Sequence, residues 1–591
     1  MTALDDALRA ADEVADRFLV GKHIPGVVYG VVVGGELIHS RGIGTLRVGE
    51  DAPPDADSVF RIASMTKSFT AATILRLRDE GRLSLDDPIA RHVPELVSLN
   101  GPTTDSPAIT IRHLLTMTAG LATDDPWGDR QQGLNLAAFS ELLRGPLTFA
   151  WTPGTRFEYS NLGYGILGRL ITNVVGAEYR EVVRERLLGP LDMDATTYLV
   201  EDVPPTRLAH GYLWRDDAYI EEPTDPYGAL ASMGGIFTSV RDLARWVAFF
   251  TDAYPPRDDP EGAAPLSRAT RREMQQANGA WFPSLTLSNP DADPEVSAGG
   301  YGLGLFVEDH SRWGRIVRHS GGYPGFGSNM RWHPASGLGV IVLGNHRYAP
   351  STPLASELMD SLLAADAVPA RRIRLAAPAA AARADIERLL GTWDDDLAAR
   401  LFAMNIDLDE PIERRRAEID RIHTVHGALR PDPDLPEVSE TQLHVAWWLA
   451  GERGGRVRVE IRLSPESPSR VQTFGLTSVP EPGQRLVAAA AEVVGALNAA
   501  DPAIPAELDL GPGIDRQALA RVLRIAAARS SPLALGPAVA GDGLKSATWR
   551  LRGERGERGE LDLRLECDPD SGLVTVLALT QRPPPAPQHD D

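Results

Sequence analysis

Ser64 and Lys67 stand three residues apart in Ser64-Met65-Thr66-Lys67, where a short apolar run, VFRIA, gives way to helical periodicity. At that spacing a helix carries the hydroxyl and the amine on one face, a turn apart. Serine becomes a useful nucleophile only when a neighbouring base takes its proton. Lysine can do so once burial or nearby cations lower its pKa; arginine, which stays protonated in proteins, cannot. The distinction carries weight in this chain, because its 60 basic residues include only three lysines, Lys22, Lys67 and Lys545. At the first helical turn the serine would also have the helix N-terminus behind it, which favours developing negative charge.

Two further groups could serve the same chemistry. In Tyr159-Ser160-Asn161 the phenol can relay a proton between nucleophile and leaving group if cations lower its pKa from about 10. The asparagine can orient both the lysine and a substrate amide through its carbonyl and amide nitrogen. In His319-Ser320-Gly321-Gly322 the glycines let a substrate approach the backbone, and a strand edge there can supply an amide to an oxyanion hole.

The elements that must position these residues are legible as patterns. Residues 4–19 have helical apolar spacing with an acidic outer face. GVVYGVVV, a Gly34-Gly35 turn and ELIHSRGIG form a hairpin signal, and VFRIA (59–63) is a further strand that runs into the serine-bearing helix, which stops at Gly81. Residues 82–300 read as mostly helical with turn-rich loops such as TDDPWGDRQQG, and strands return from about 301 to 345, followed by the helix ASELMDSLLAA. Strands from both ends of a region with helices between them predict an α/β domain carrying an inserted α domain.

An Ala/Pro/Arg stretch at 366–384 reads as a linker. Beyond it, HVAWWLAGERGGRVRVEIRL (444–463) aligns with SATWRLRGERGERGELDLRL (546–565) at an offset of 102 residues. This predicts two small α+β repeat modules, 385–482 and 483–583, each with helix before two or three strands joined by a GERG turn. Trp447 and Trp549 fall at equivalent positions and read as core residues. His423 and His426 sit at helical spacing without acidic or cysteine partners and read as a structural pair, so no metal site is called. The tail 584–591 reads as disordered.

Composition narrows the function. The 591 residues carry a net charge of -21, with 43% hydrophobic and 24% charged residues, as in an ordinary globular chain. Nucleic acid and anionic membrane both require a basic footprint, so neither is expected as a partner. The single cysteine, Cys567, excludes an internal disulfide framework. The first twenty residues lack a basic and apolar leader, and no run is long and apolar enough for a membrane helix, so the expected location is cytoplasmic. No phosphate-binding loop context appears, and no cofactor is expected.

In order and surroundings these motifs resemble the serine β-lactamase and penicillin-binding-protein superfamily, nearest to the branch of class C β-lactamases, D-aminopeptidases and related esterases. The resemblance rests on S-x-x-K (Ser64, Lys67), Y-x-N (Tyr159, Asn161) and H-x-G (His319, Gly321), and on VFRIASMTKSFTAA, IRHLLTMTAGL, TPGTRFEYSNLGYGILG, GGIFTSVRDLARW and HSGGYPGFGS. It covers residues 1–365. It implies a β-lactamase-like catalytic domain, an antiparallel sheet flanked by helices plus an inserted α domain, and a covalent acyl-enzyme on Ser64, with Lys67 and Tyr159 sharing proton transfer. By the same resemblance the backbone amides of Ser64 and Gly322 would hold the oxyanion, Asn161 would orient the substrate amide, and His319 would line the site. Members that destroy antibiotics carry lysine at the start of the third motif. Here His319, partly charged near neutral pH, turns the expectation away from a β-lactamase toward hydrolysis of small esters or amides, including peptides with a D-residue. Three alternatives stay open: acyl transfer or thioester cyclisation by the same Ser-Lys-Tyr set, β-lactamase activity, and a non-catalytic ligand-binding role. The C-terminal modules have two open roles, a wall narrowing the cleft or a homodimer surface.

Overall fold

The computed structural model describes residues 3–257, 259–286, 295–368, 375–530, 532–553 and 561–581. These fall into two compact units, one reaching to residue 285 and resuming at 295–368, the other beginning after residue 369. The first unit has twelve strands: β1 (Gly26–Val33), β2 (Glu36–Gly44), β3 (Val59–Arg61), β4 (Tyr212–Arg215), β5 (Ala218–Glu221), β6 (Phe237–Ser239), β7 (Gly279–Thr286), β8 (Glu295–Tyr301), β9 (Phe306–His310), β10 (Gly314–Tyr323), β11 (Phe326–His333) and β12 (Leu338–Gly344). Eight of them form one sheet in the order β2-β1-β12-β11-β10-β9-β8-β7. The pairings from β2 through to β8 in this sheet are all antiparallel. Short turns therefore suffice between most neighbours, and β1 closes onto β12 from the far end of the unit.

Helices cover both faces of the sheet, which is why β11 and β12 are buried along their whole length. Alternation along β1 separates the two layers. Val27, Tyr29 and Val31 pack with Ala7, Ala11 and Ala15 of the helix Ala3–Leu19 and with Leu354 and Leu358 of the helix Ser351–Ala364. Val28 and Val32 face the opposite layer, which holds the helices Thr66–Asp79 and Val240–Thr251. At Gly30 a β-carbon would lie 2.4 Å from Val240, so only glycine lets the second helix seat this closely. Helix Thr66–Asp79 is wedged between the sheet and the helical block, and eleven of its fourteen residues are buried. It is therefore enclosed on nearly all sides, and its buried Thr66, Lys67, Ser68, Thr70 and Thr73 are hydrogen-bonded within the fold.

The region read as helical from 82 to 300 differs in detail. It contains β4 to β8, and the IRHLL helix ends at Leu115, where Met117 takes a left-handed turn. The strands at its end escaped notice because β7 lies at the sheet edge, where Pro283 is tolerated and no buried alternation is imposed. VFRIA supplies only the three-residue β3, which pairs with β6 outside the main sheet. The stretch read as a linker is helical from Ala377, within the helix Ala377–Gly391.

The second unit contains two helix-and-sheet modules. The first sheet joins β13 (Leu429–Pro431), β14 (Val438–Thr441), β15 (His444–Gly451), β16 (Arg456–Leu463) and β17 (Val471–Val479); the second joins β18 (Leu533–Gly541), β19 (Ser546–Gly553), β20 (Leu561–Cys567) and β21 (Val574–Gln581). The sequence repeat coincides with β15–β17 and β19–β21. Trp447 packs in the first core and Trp549 in the second. His423 and His426 bond to backbone carbonyls and, for His426, to Ser478 Oγ. The second GERG turn and the tail at 584–591 lie outside the described residues. No helix among the described residues is long and apolar enough to cross a membrane.

Candidate active site

Between β3 and the central helix the chain makes a tight turn. Ala63 has φ of +47°, a conformation that costs an L-residue about 1–2 kcal/mol. The single turn Ala63–Met65 follows and runs into the helix Thr66–Asp79, which leaves Ser64 at the helix start as its one partly exposed residue. Lys67 points back to it and is completely buried. Its Nζ donates to Ser64 Oγ at 2.9 Å, to Asn161 Oδ1 at 2.7 Å and to the Met233 carbonyl at 2.8 Å. Burial pulls the amine down to about 8, against the pull of Asp125, Asp129 and Asp124. A neutral amine in this cradle keeps two N–H groups on Asn161 and Met233 and turns its lone pair to the serine hydroxyl.

Tyr159 and Asn161 arrive on the start of the helix Asn161–Val175. Ser160 caps it by accepting from Gly163 N, while Asp124 accepts from the backbone N–H groups of Asn161 and Leu162 at 2.7 and 2.8 Å. Lys67 Nζ lies 4.9 Å from the Tyr159 ring centre. The cation does not make this phenol acidic: burial, with Asp125 adding to it, holds Tyr159 well above 10, offset in part by a hydrogen bond with Ser64. Tyr159 is thus a phenol at neutral pH, and the cations beside it do not lower its pKa. The Asn161 oxygen accepts from Lys67 and its Nδ2 gives one of its two hydrogens to Asp125 at 2.6 Å, so the side chain holds the lysine and keeps a second N–H.

His319 is fully buried. Nδ1 lies 2.7 Å from the Ser320 carbonyl, which can only accept, so the ring proton sits there; Nε2 accepts from the Tyr301 hydroxyl at 2.9 Å. Burial, helped by the charge of Lys67, lowers its pKa to about 3. The partial charge expected of His319 is therefore absent at neutral pH. β9 pairs with β10 only as far as Arg318, which leaves the His319–Tyr323 edge unpaired by β9. This segment packs instead on the serine turn. At Gly321 a β-carbon would lie 2.0 Å from the Ile62 carbonyl and 2.4 Å from Ser328 Oγ, which itself donates to Ile62 O. At Gly322 it would meet the Tyr348 ring at 2.7 Å. Gly321→Ala must push residue 62 away, two positions before Ser64. A displacement of this size can cost about a hundredfold in rate, so the variant should lose about that much in the rate of Ser64 labelling by a fluorophosphonate; an unchanged rate would show that the turn tolerates the shift.

Sequence reasoning missed Asp124, Asp125 and Asp129, which lay in a loop read only as turn-rich, and also Met233, Tyr301 and Tyr348. No periodicity marks them. Only the fold brings that loop against the lysine. Among the described residues no group of three or more histidine, cysteine, aspartate or glutamate side chains could hold a metal ion.

Residues 6–364 match the protein family described as Beta-lactamase. The chain belongs to the Beta-lactamase family. This family consists generally of hydrolases with an active-site serine. Similar family members include "Protein flp" of Staphylococcus aureus (strain MW2), 28% identical over 345 residues, 58% of this chain and 64% of that protein. "Beta-lactamase-like protein 2" of Dictyostelium discoideum is 28% identical over 307 residues, 48% of this chain and 55% of that protein. The chain thus spans less than two thirds of these relatives. The octameric penicillin-binding protein homologue from Pyrococcus abyssi shares the fold with a TM-score of 0.51 at 20% identity, over 79% of this chain and 99% of that one.

Proposed function

We propose that this protein is a serine hydrolase that cleaves small esters or amides through an acyl-enzyme on Ser64. The observation that carries this reading is the 2.9 Å contact of Ser64 Oγ with a buried lysine whose pKa lies near 8. Neutral Lys67 takes the Ser64 proton as Oγ bonds to the substrate carbonyl carbon. The oxyanion is met by the backbone amides of Ser64 and Gly322, on the strand edge that β9 leaves open. As the tetrahedral adduct collapses, Tyr159 gives its proton to the departing oxygen or nitrogen and recovers one from the Lys67 ammonium. Water then attacks the acyl carbon, passes a proton to the same pair, and Ser64 leaves with its proton restored. Asn161 and Met233 hold Lys67 throughout. A neutral His319 offers no fixed charge for a substrate carboxylate, which favours an esterase or amidase specificity over a β-lactamase one.

Intact-protein mass after brief exposure to a p-nitrophenyl ester, and separately to a fluorophosphonate, tests the reading. Wild type should gain one adduct, and Ser64→Ala should gain none. A folded wild-type protein that remains unmodified by both reagents would overturn it.

A further inference from the structure

Resting on the hydrolase reading, the inference concerns which acyl group the site takes. The strand segment His319–Tyr323 has two chemically different ends, about 13 Å apart by strand geometry. The His319 end meets Tyr301 and Phe306, and Phe306 stacks with Tyr159 at a ring separation of 6.4 Å. This is the side on which Tyr159 would serve the leaving group. At the other end the Tyr348 ring lies against Gly322, and its hydroxyl donates to Asp129 Oδ2 at 2.7 Å. The neighbouring Tyr323 hydroxyl donates to Asp225 and lies 2.6 Å from the Asp129 carbonyl oxygen. Gly128, one residue before Asp129, packs against Asn161, with a β-carbon there at 3.0 Å. Asp129 therefore bridges the second and third motifs at the Gly322 end of the segment.

Its chemistry is unfinished. Asp124 is spent on two backbone amides, and Asp125 accepts from Asn161 and is otherwise exposed, so water completes its shell. Asp129 is 6% exposed, yet its carboxylate has a single neutral donor, and its second oxygen has no hydrogen-bond partner among the described residues. Nor, among the described residues, does it form an ion pair. The nearby Arg61 guanidinium lies 3.7 Å over the Tyr323 ring and its Nε contacts the Gly234 carbonyl at 3.4 Å, while Lys67 is turned to Ser64, Asn161 and Met233. Five carboxylates, Asp124, Asp125, Asp129, Asp225 and Glu222, thus share this region with Arg61, Lys67, Arg130 and Arg347, the last two of which both face Glu222. Burial raises Asp129 only to about 6, so it is mostly ionised above neutral pH. Tyr348, which holds it, keeps φ at +47°, a strained conformation for an aromatic residue and one that persists where surroundings enforce it.

We propose that Asp129 selects the acyl donor, and that preferred substrates carry a positively charged ammonium group on the acyl side of the scissile bond. A carboxylate with one empty acceptor site gains an ion pair from such a group, whereas an anionic acyl chain meets only repulsion.

Three p-nitrophenyl esters test this on the full-length protein at pH 8: that of γ-(trimethylammonio)butyrate, that of the isosteric acid with carbon in place of nitrogen, and that of glutarate as its monoanion. Wild type should favour the cationic ester over its neutral isostere by about tenfold or more in kcat/KM, with the anionic ester slowest, and the ratio should shrink with added salt. Asp129→Asn should bring the cationic-to-neutral ratio toward one, and Asp129→Glu should restore a preference. Because each ratio is taken within one protein, a general loss of folding in a variant does not imitate the effect, and the wild-type ratio stands without any variant. Turnover of all three esters without charge preference would overturn this proposal alone. No turnover and no adduct with any ester would overturn the hydrolase reading beneath it as well.

Discussion

Lys67→Arg should acylate Ser64 no faster than Lys67→Ala, with both about a thousandfold or more below wild type, the range expected when a general base is lost. A conservative change in charge is not conservative here. The guanidinium stays protonated at any working pH, and its planar fork does not fit a cradle that presents three acceptors around one nitrogen within 2.7–2.9 Å. The companion result is a pH profile. Burial favours the uncharged amine, so the pKa near 8 lies below the ordinary 10.5. Since the base must be unprotonated, the acylation rate with a neutral ester rises with pH, tenfold per unit below about 8, and levels off above it. The charge of Tyr159 adds no limb in that window, because its phenol titrates well above 10. A flat profile from pH 6 to 10 would exclude Lys67 as the base, and a midpoint at the ordinary lysine value would overturn the lowered pKa.

Trp246→Ala should cost about 3–5 kcal/mol of stability, the range for removing a fully buried tryptophan. Trp246 lies 4.0 Å from Phe69 in a stacked arrangement and also packs on Phe249 and Phe250. Its Nε1 donates to Ser68 Oγ at 3.0 Å, and that hydroxyl donates to the Met65 carbonyl at 2.8 Å. The indole therefore both fills the gap between two helices and braces the turn that carries Ser64. Guanidinium chloride unfolding followed by far-UV circular dichroism should show the midpoint move down, with Trp246→Phe losing much less because the stacked ring remains. The alanine variant should also label more slowly at Ser64. Equal midpoints for wild type and Trp246→Ala would mean that neighbouring side chains collapse into the space.

The local chemistry and the strongly periodic elements are legible in the residues alone. The serine-lysine pair is legible because three residues on any helix make a turn, and because lysine is so scarce in an arginine-rich chain. The helix Asn161–Val175 and the strands β1, β2, β10, β11 and β12 follow from apolar patterns that burial on one or two faces enforces. The tryptophans at 447 and 549 follow from repetition, since equivalent strands need equivalent core residues. Tertiary structure alone decided the states of these groups. Whether His319 is charged depends on its burial beside Lys67 and on the Ser320 carbonyl and Tyr301 hydroxyl. Whether Tyr159 is acidic depends on a balance between burial and charge that no spacing encodes, and burial wins. The aspartates at 124, 125 and 129 were invisible for the same reason: a loop has no period, and electrostatic coupling follows distance in space, not separation along the chain.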